Sequence, residues 1–170
     1  MIETRNKIKY FLYKRTPIIL LFTTILNEID FNNTEWKYFS FNFAYILIFY
    51  YSLKRDGSIG YVFIILAGLF NDVVNGLPMG ISSLCYLLLC VAGVYLRNLT
   101  LRPNLIKDWI FFLITILVLN FITFTYLILF FSYEINYFDQ MINIFFTFLL
   151  YLIITYLFKV YDNLILGNMN

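Results

Sequence analysis

Gly68-Leu69-Phe70-Asn71-Asp72-Val73-Val74-Asn75-Gly76-Leu77-Pro78-Met79-Gly80 decides how this chain is read, because it sets one carboxyl group inside a run that otherwise has the character of a membrane helix. A charge at such a depth costs about 2.5–3.5 kcal/mol on insertion scales. Asp72 therefore needs compensating partners. Read as a helix, Gly68, Asn71, Asp72, Asn75 and Gly76 fall at i, i+3, i+4, i+7 and i+8 and form one stripe. The remaining faces carry Val62, Phe63, Leu66, Leu69, Phe70, Val73, Val74 and Leu77. Such a helix turns its bulky faces to lipid or apolar neighbours, while the small and polar stripe faces another helix or a water-filled recess. If it starts near Gly60, Asp72 lies about 18 Å along it, in the outer half of the bilayer.

The residues that follow predict a tight helical hairpin. Pro78 lacks an N–H and disfavours helical geometry at Leu77, and Gly76 and Gly80 flank it with freedom to turn. Asp72 then sits one turn below the bend, where backbone N–H groups at the start of the next helix are free and the helix dipole favours an acceptor. An architectural role is expected for Gly68, Gly76, Pro78 and Gly80. For Asp72 both a structural and a functional role stand open.

Composition extends this reading to the whole chain. Of 170 residues, 62% are hydrophobic, 22% aromatic and only 13% charged, whereas soluble domains average about 45–50% apolar and about 25% charged. An all-α, polytopic membrane protein is expected, in a single membrane domain covering 1–170, with no room for a soluble domain beside it. Hydropathy gives six candidate spans, at about 10–29, 36–53, 60–76, 80–96, 109–131 and 141–160, for a core about 30 Å thick. The apolar part of the first is only the ten residues from Pro17 to Leu26, with Thr23 and Thr24 among them. It reads as a signal-anchor, since no small-residue cleavage site follows it.

Charge bias sets the expected orientation. With six spans and both termini inside, eleven of the twelve basic residues face the cytoplasm and only Lys37 lies outside, as the positive-inside rule favours. The outer loops hold Glu28, Asp30, Glu35, Glu134 and Asp139. The basic residues are thus expected to meet anionic lipid headgroups and not nucleic acid.

Residue types also narrow the chemistry. The chain contains no histidine, which removes Ser-His and Cys-His nucleophile pairs and imidazole metal sites. Cys85 and Cys90 read as small hydrophobes in a bundle. Asp72 is the only carboxyl group deep in a span, so paired or metal-binding carboxylates have no counterpart. No catalytic residue, cofactor or metal ligand is expected.

The motif at 68–80, on a chain of about this length with short spans, a basic N-terminus and an abrupt C-terminal end, closely resembles the rod shape-determining membrane protein MreD family of bacteria. That family's pattern is a glycine, an aspartate four positions on, and a glycine-containing turn leading to a final glycine before the next helix. Gly68, Asp72, Gly76 and Gly80 match it. The resemblance implies a non-enzymatic, multi-pass component of the bacterial cytoplasmic (inner) membrane that serves the cell-elongation machinery. Its implied partners are the periplasmic scaffold protein MreC, the MreB filament system, and the glycosyltransferase and transpeptidase of lateral-wall peptidoglycan. It also implies a fold similar to the substrate-binding subunits of energy-coupling-factor transporters, with a recess among the helices.

Weaker features complete the reading. Ser82, Tyr86, Gly93 and Arg97 share one face of the fourth span and are expected to pack on the Asp72 stripe. Asn120 with Thr123, and Thr147, Tyr151 and Thr155, are expected to hydrogen-bond between helices. Trp36 and Trp109 stand at span ends, as interfacial anchors do. The Arg97 to Pro103 loop reads as a positive-inside charge cluster. A vitamin-type transporter subunit is the alternative function, but such a site needs several converging polar and aromatic groups, and only Asn71, Asp72 and Asn75 stand out in the outer halves of the spans.

Overall fold

The computed structural model describes residues 15–24, 41–54, 59–100, 104–131 and 136–167. Among them are six helical segments and no strand: α1 (15–24), α2 (Phe43–Lys54), α3 (Tyr61–Asn75), α4 (Ile81–Leu99), α5 (Leu105–Phe131) and α6 (Tyr137–Gly167). The chain is a helical membrane protein: α4, α5 and α6 are each long and apolar enough to cross a bilayer. At 12 and 15 residues, α2 and α3 are about 18 and 22 Å long, short of a core about 30 Å thick. The ends of the first expected span, the loop holding Trp36 and Lys37, and the basic residues before Arg15 lie outside the described residues.

Two boundaries differ from the expected spans for identifiable reasons. The second helix begins at Phe43, with Phe41 and Asn42 non-helical, and residues 36–40 of the expected span lie outside the described residues. Asn42 stops it from starting earlier, because its Oδ1 accepts the Tyr45 N–H at 3.1 Å as an N-cap. Its own N–H donates to Thr147 Oγ1 of α6 at 2.9 Å. The last helix runs further than 141–160, from Tyr137 to Gly167. Its first turn carries Asp139, a charge that favours a helix N-terminus.

The core is built around α2. From Ile46 to Leu53 every residue is buried, as befits a helix that is apolar all round. Gly93 lets α4 approach it closely, since a Cβ there would lie 2.9 Å from Ser52 Cβ and 3.2 Å from the Phe49 carbonyl oxygen. Tyr45 meets Tyr86 edge-on at 5.8 Å while Ser52 donates to Cys90 Sγ at 3.2 Å, so α2 and α4 run the same way. On the other side α5 and α6 interlock through rings. Trp109 stacks on Phe148 at 4.3 Å and Phe112 on Tyr151 at 4.4 Å, pairs that contribute about 0.5–1.5 kcal/mol each beyond their burial. The Trp109 indole also donates to the Phe148 carbonyl at 2.9 Å, so this residue ties two helices together as well as standing near a span end. α1 lies against α3 and α6 through Phe22 with Phe70 and Thr16 with Tyr161.

The base of the bundle, opposite the α3–α4 turn, gathers the charged groups. Lys54 pairs with Asp108 at 3.3 Å, Arg97 donates to the Ser52 carbonyl at 3.4 Å, and the Tyr50 hydroxyl donates to Asp162 at 3.3 Å. These contacts fasten the C-terminal end of α2 to α4, α5 and α6 in turn.

Candidate functional site

The site is the α3–α4 turn, and its local geometry follows from its glycines. Gly76 stops α3 in the left-handed conformation, at φ 63°, a region open to glycine at little cost. The Gly76 and Leu77 N–H groups both turn back to the Asp72 carbonyl oxygen, the latter at 2.9 Å. Gly80, at φ 101°, opens α4. No atom stands within 4 Å of where a Cβ would lie at either glycine, so dihedral angle and not space requires them.

Asp72 is fully buried. Its Oδ2 accepts the Gly80 N–H at 2.7 Å and its Oδ1 the Ser82 N–H at 2.9 Å. Gly80 has no side chain to cap α4, and the carboxyl group of Asp72 takes over that task from the neighbouring helix, as its sequence position led us to expect. One residue thus receives N–H groups on both sides of the bend: Gly76 and Leu77 on its main-chain oxygen, Gly80 and Ser82 on its side chain.

Gly68 acts by space. A Cβ there would run into the Ser83 main chain, so α3 and α4 touch almost backbone to backbone. Ser83 adds a hydroxyl bond to the Ile65 carbonyl at 2.9 Å, and Asn71 Nδ2 donates to Ser82 Oγ at 3.0 Å. Asn75 is exposed and reaches back to the Asn71 carbonyl at 3.1 Å. Pro78 is half-buried in the bend. The stripe of Gly68, Asn71 and Asp72 is therefore one contact surface, joined by Ile64 and Ala67, while Asn75 and Gly76 at its end are exposed. The opposite face, with Val62, Phe63, Leu66, Phe70 and Val73, is exposed as expected.

The expected packing face of α4 needs correction. Ser82 does meet the Asp72 stripe, but Tyr86, Gly93 and Arg97 contact α2. α4 lies between the two helices, and Ser83, about 100° round from Ser82, makes the closest approach to α3. Elsewhere Asn120 turns to its own helix, donating to the Ile116 carbonyl at 2.8 Å. Thr123 meets Cys85 of α4 at 3.0 Å and Thr147 meets Asn42, both between helices. Cys85 and Cys90 are free and buried. Sequence reasoning missed Ser83 and the Lys54–Asp108 pair. A basic residue closing one helix and an acidic one opening another, each suited to its helix dipole, was the available signal for the pair.

Chemically the turn is an acceptor site already filled by main-chain donors. Among the described residues no group of three His, Cys, Asp or Glu could hold a metal ion. One polar atom at the site is left over: Asn71 Oδ1 is buried without a partner among the described residues. Comparison with protein-family models, curated proteins and solved structures gives no match for this chain.

Proposed function

We propose that the protein is a non-enzymatic assembly component of the bacterial cell-elongation machinery in the inner membrane, with six spans, both termini inside, and an MreC-like periplasmic scaffold as its protein partner. The observation that carries this reading is the resemblance of the 68–80 motif to the MreD family. Each matched residue has a distinct task that its neighbours cannot perform: Gly68 admits a main chain, Asp72 caps α4, and Gly76 and Gly80 supply positive φ. Such a motif keeps a hairpin stiff, which suits a protein whose work is to present helices to partners. Exposed apolar side chains on α3, α5 and α6 leave lipid and partner spans ample surface.

Mild-detergent purification of the tagged chain from its own host, with mass spectrometry of the captured proteins and small molecules, tests this. Recovery of the single-span scaffold and the wall-building glycosyltransferase and transpeptidase, with loss of rod shape on depletion, is the expected result. Recovery of paired ATPases or a bound vitamin would overturn it in favour of a transporter subunit.

A further inference from the structure

α3 faces lipid and is too short to cross it. The equally short α2 is buried from Ile46 to Leu53 and has no such face, whereas α3 exposes Val62, Leu66, Phe70 and Val73. Its register on α4 shows which end falls short. Gly68 lies against the Ser83 main chain. From that contact α3 descends about 10 Å to Tyr61, while α4 descends about 21 Å to Arg97 at the base of the bundle. The first turn of α3 thus stands about 11 Å above the base. The residues at that height suit an interface and not hydrocarbon. Tyr61 is 62% exposed, an aromatic ring with a polar tip. Gly60, the N-cap residue, has no side chain to offer the N–H groups of the first turn, which in lipid would lack an acceptor. Arg15 of α1 supplies an independent marker. Thr16 meets Tyr161, next to the Asp162 that bonds Tyr50, whereas Phe22 meets Phe70, so α1 runs from base to turn beside α3. Arg15, exposed and about 10 Å below Phe22, is therefore level with Phe63, about 10 Å below Phe70. The sequence that links Lys54 at the base to Ile59 ahead of α3, Arg55-Asp56-Gly57-Ser58, contains no apolar side chain.

We propose that the protein draws one face of the bilayer inward by about 10 Å around α1 and α3, so that anionic lipid headgroups meet Arg15 and Tyr61 there. A lipid-facing stretch shorter than the hydrocarbon is accommodated by local thinning of the bilayer. Around α5 the headgroups stay level with the base, where Lys54 pairs with Asp108. On α4 the exposed apolar face continues through Val91 and Tyr95 to Leu99, which sets the edge of the depression on that side. The surface so formed fits lipid and makes the thickness of the surrounding bilayer unequal on opposite sides of one small bundle.

Val62 and Val118 test this, because both are exposed and a bilayer of uniform thickness would cover them equally. Cys85 meets Thr123, and Val62 lies about 6 Å below that level on α3 while Val118 lies about 7–8 Å below it on α5. Val62→Cys and Val118→Cys, each carrying a nitroxide label, are compared in the full chain in nanodiscs of dioleoyl phosphatidylcholine and phosphatidylglycerol. The native Cys85 and Cys90 are buried, and the wild-type chain taken through the same labelling sets the background. A water-soluble nickel chelate is expected to relax the label at 62 several-fold faster than the label at 118. Equal or slower relaxation at 62 would overturn the proposal. Hydrogen exchange of the wild-type chain in the same nanodiscs needs no variant. The Tyr61 and Val62 N–H groups have no acceptor in their own helix, and exchange within minutes is expected if water reaches them. Protection for hours would place them in hydrocarbon and overturn the proposal as well.

Discussion

The carboxyl group of Asp72 accepts the main-chain N–H of Gly80 at 2.7 Å, joining the end of α3 to the start of α4 across an eight-residue separation. This is the shorter of its two side-chain bonds, the other being to Ser82 at 2.9 Å. Both donors are first-turn N–H groups that have no partner within their own helix. In a membrane they have no water to turn to either.

Asp72→Asn is therefore expected to keep one of the two bonds and set an amide N–H against the other donor. The cost is about 1–3 kcal/mol for one buried group left unpaired. Asp72→Ala orphans both donors and should cost about twice as much. Thermal midpoints of the detergent-solubilised variants check the order wild type, Asn, Ala, and equal midpoints would show that the carboxyl group does not hold the turn.

Gly68 and Gly93 make opposite predictions about rescue. An alanine at 68 meets the main chain of Ser83, so trimming the partner to glycine leaves the clash in place. Gly93→Ala meets Ser52 Cβ first, at 2.9 Å, and Ser52→Gly should recover part of the loss. Each single alanine is expected to destabilise by about 1–3 kcal/mol. The double variants, measured against their single parents, separate the two cases.

Gly76 and Gly80 have room for a side chain but the wrong dihedral angles for one. Alanine at either position should cost about 1–2 kcal/mol through backbone strain alone. Asparagine at 76 should cost less than alanine, since it tolerates the left-handed region. A midpoint for Gly76→Asn at or below that of Gly76→Ala would count against a purely conformational role.

Lys54 and Asp108 are unequal partners, because Asp108 is almost wholly buried and Lys54 is not. Removing Lys54 leaves a buried acid without its counter-charge, whereas replacing both removes the problem. Lys54→Met should destabilise by about 1–3 kcal/mol, below the full cost of breaking a buried pair because solvent reaches the lysine. Lys54→Met with Asp108→Leu should lie closer to wild type than Lys54→Met alone.

Much of the hairpin was legible because it depends on residues with few alternatives. A proline fixes where α3 cannot continue, glycines mark positive φ, and a lone acid in an apolar run must find donors nearby. Of the stripe from Gly68 to Gly76 that spacing marked, Gly68, Asn71 and Asp72 are buried, whereas Asn75 and Gly76 are exposed. What spacing could not supply was neighbourhood. Ser82, Tyr86, Gly93 and Arg97 share a face, yet that face meets α3 at one end and α2 along the rest, because α4 lies between the two helices. The start of α2 itself was hidden for a similar reason: hydropathy does not mark Asn42, which caps the helix at Phe43 with support from Thr147. Hydropathy measures what lipid tolerates, and α2 is buried in protein.

The partners of Asp72 lie eight and ten residues downstream of it, and this bears on how the chain is made. While α3 emerges alone, its acid has no donors beyond its own helix and resists entry into the bilayer. Once the residues up to Ser82 have followed and α4 begins to coil, the two helices can leave the aqueous phase together. The hairpin, and not the single helix, is thus the smallest unit that holds the Asp72 carboxyl group together with both of its side-chain donors.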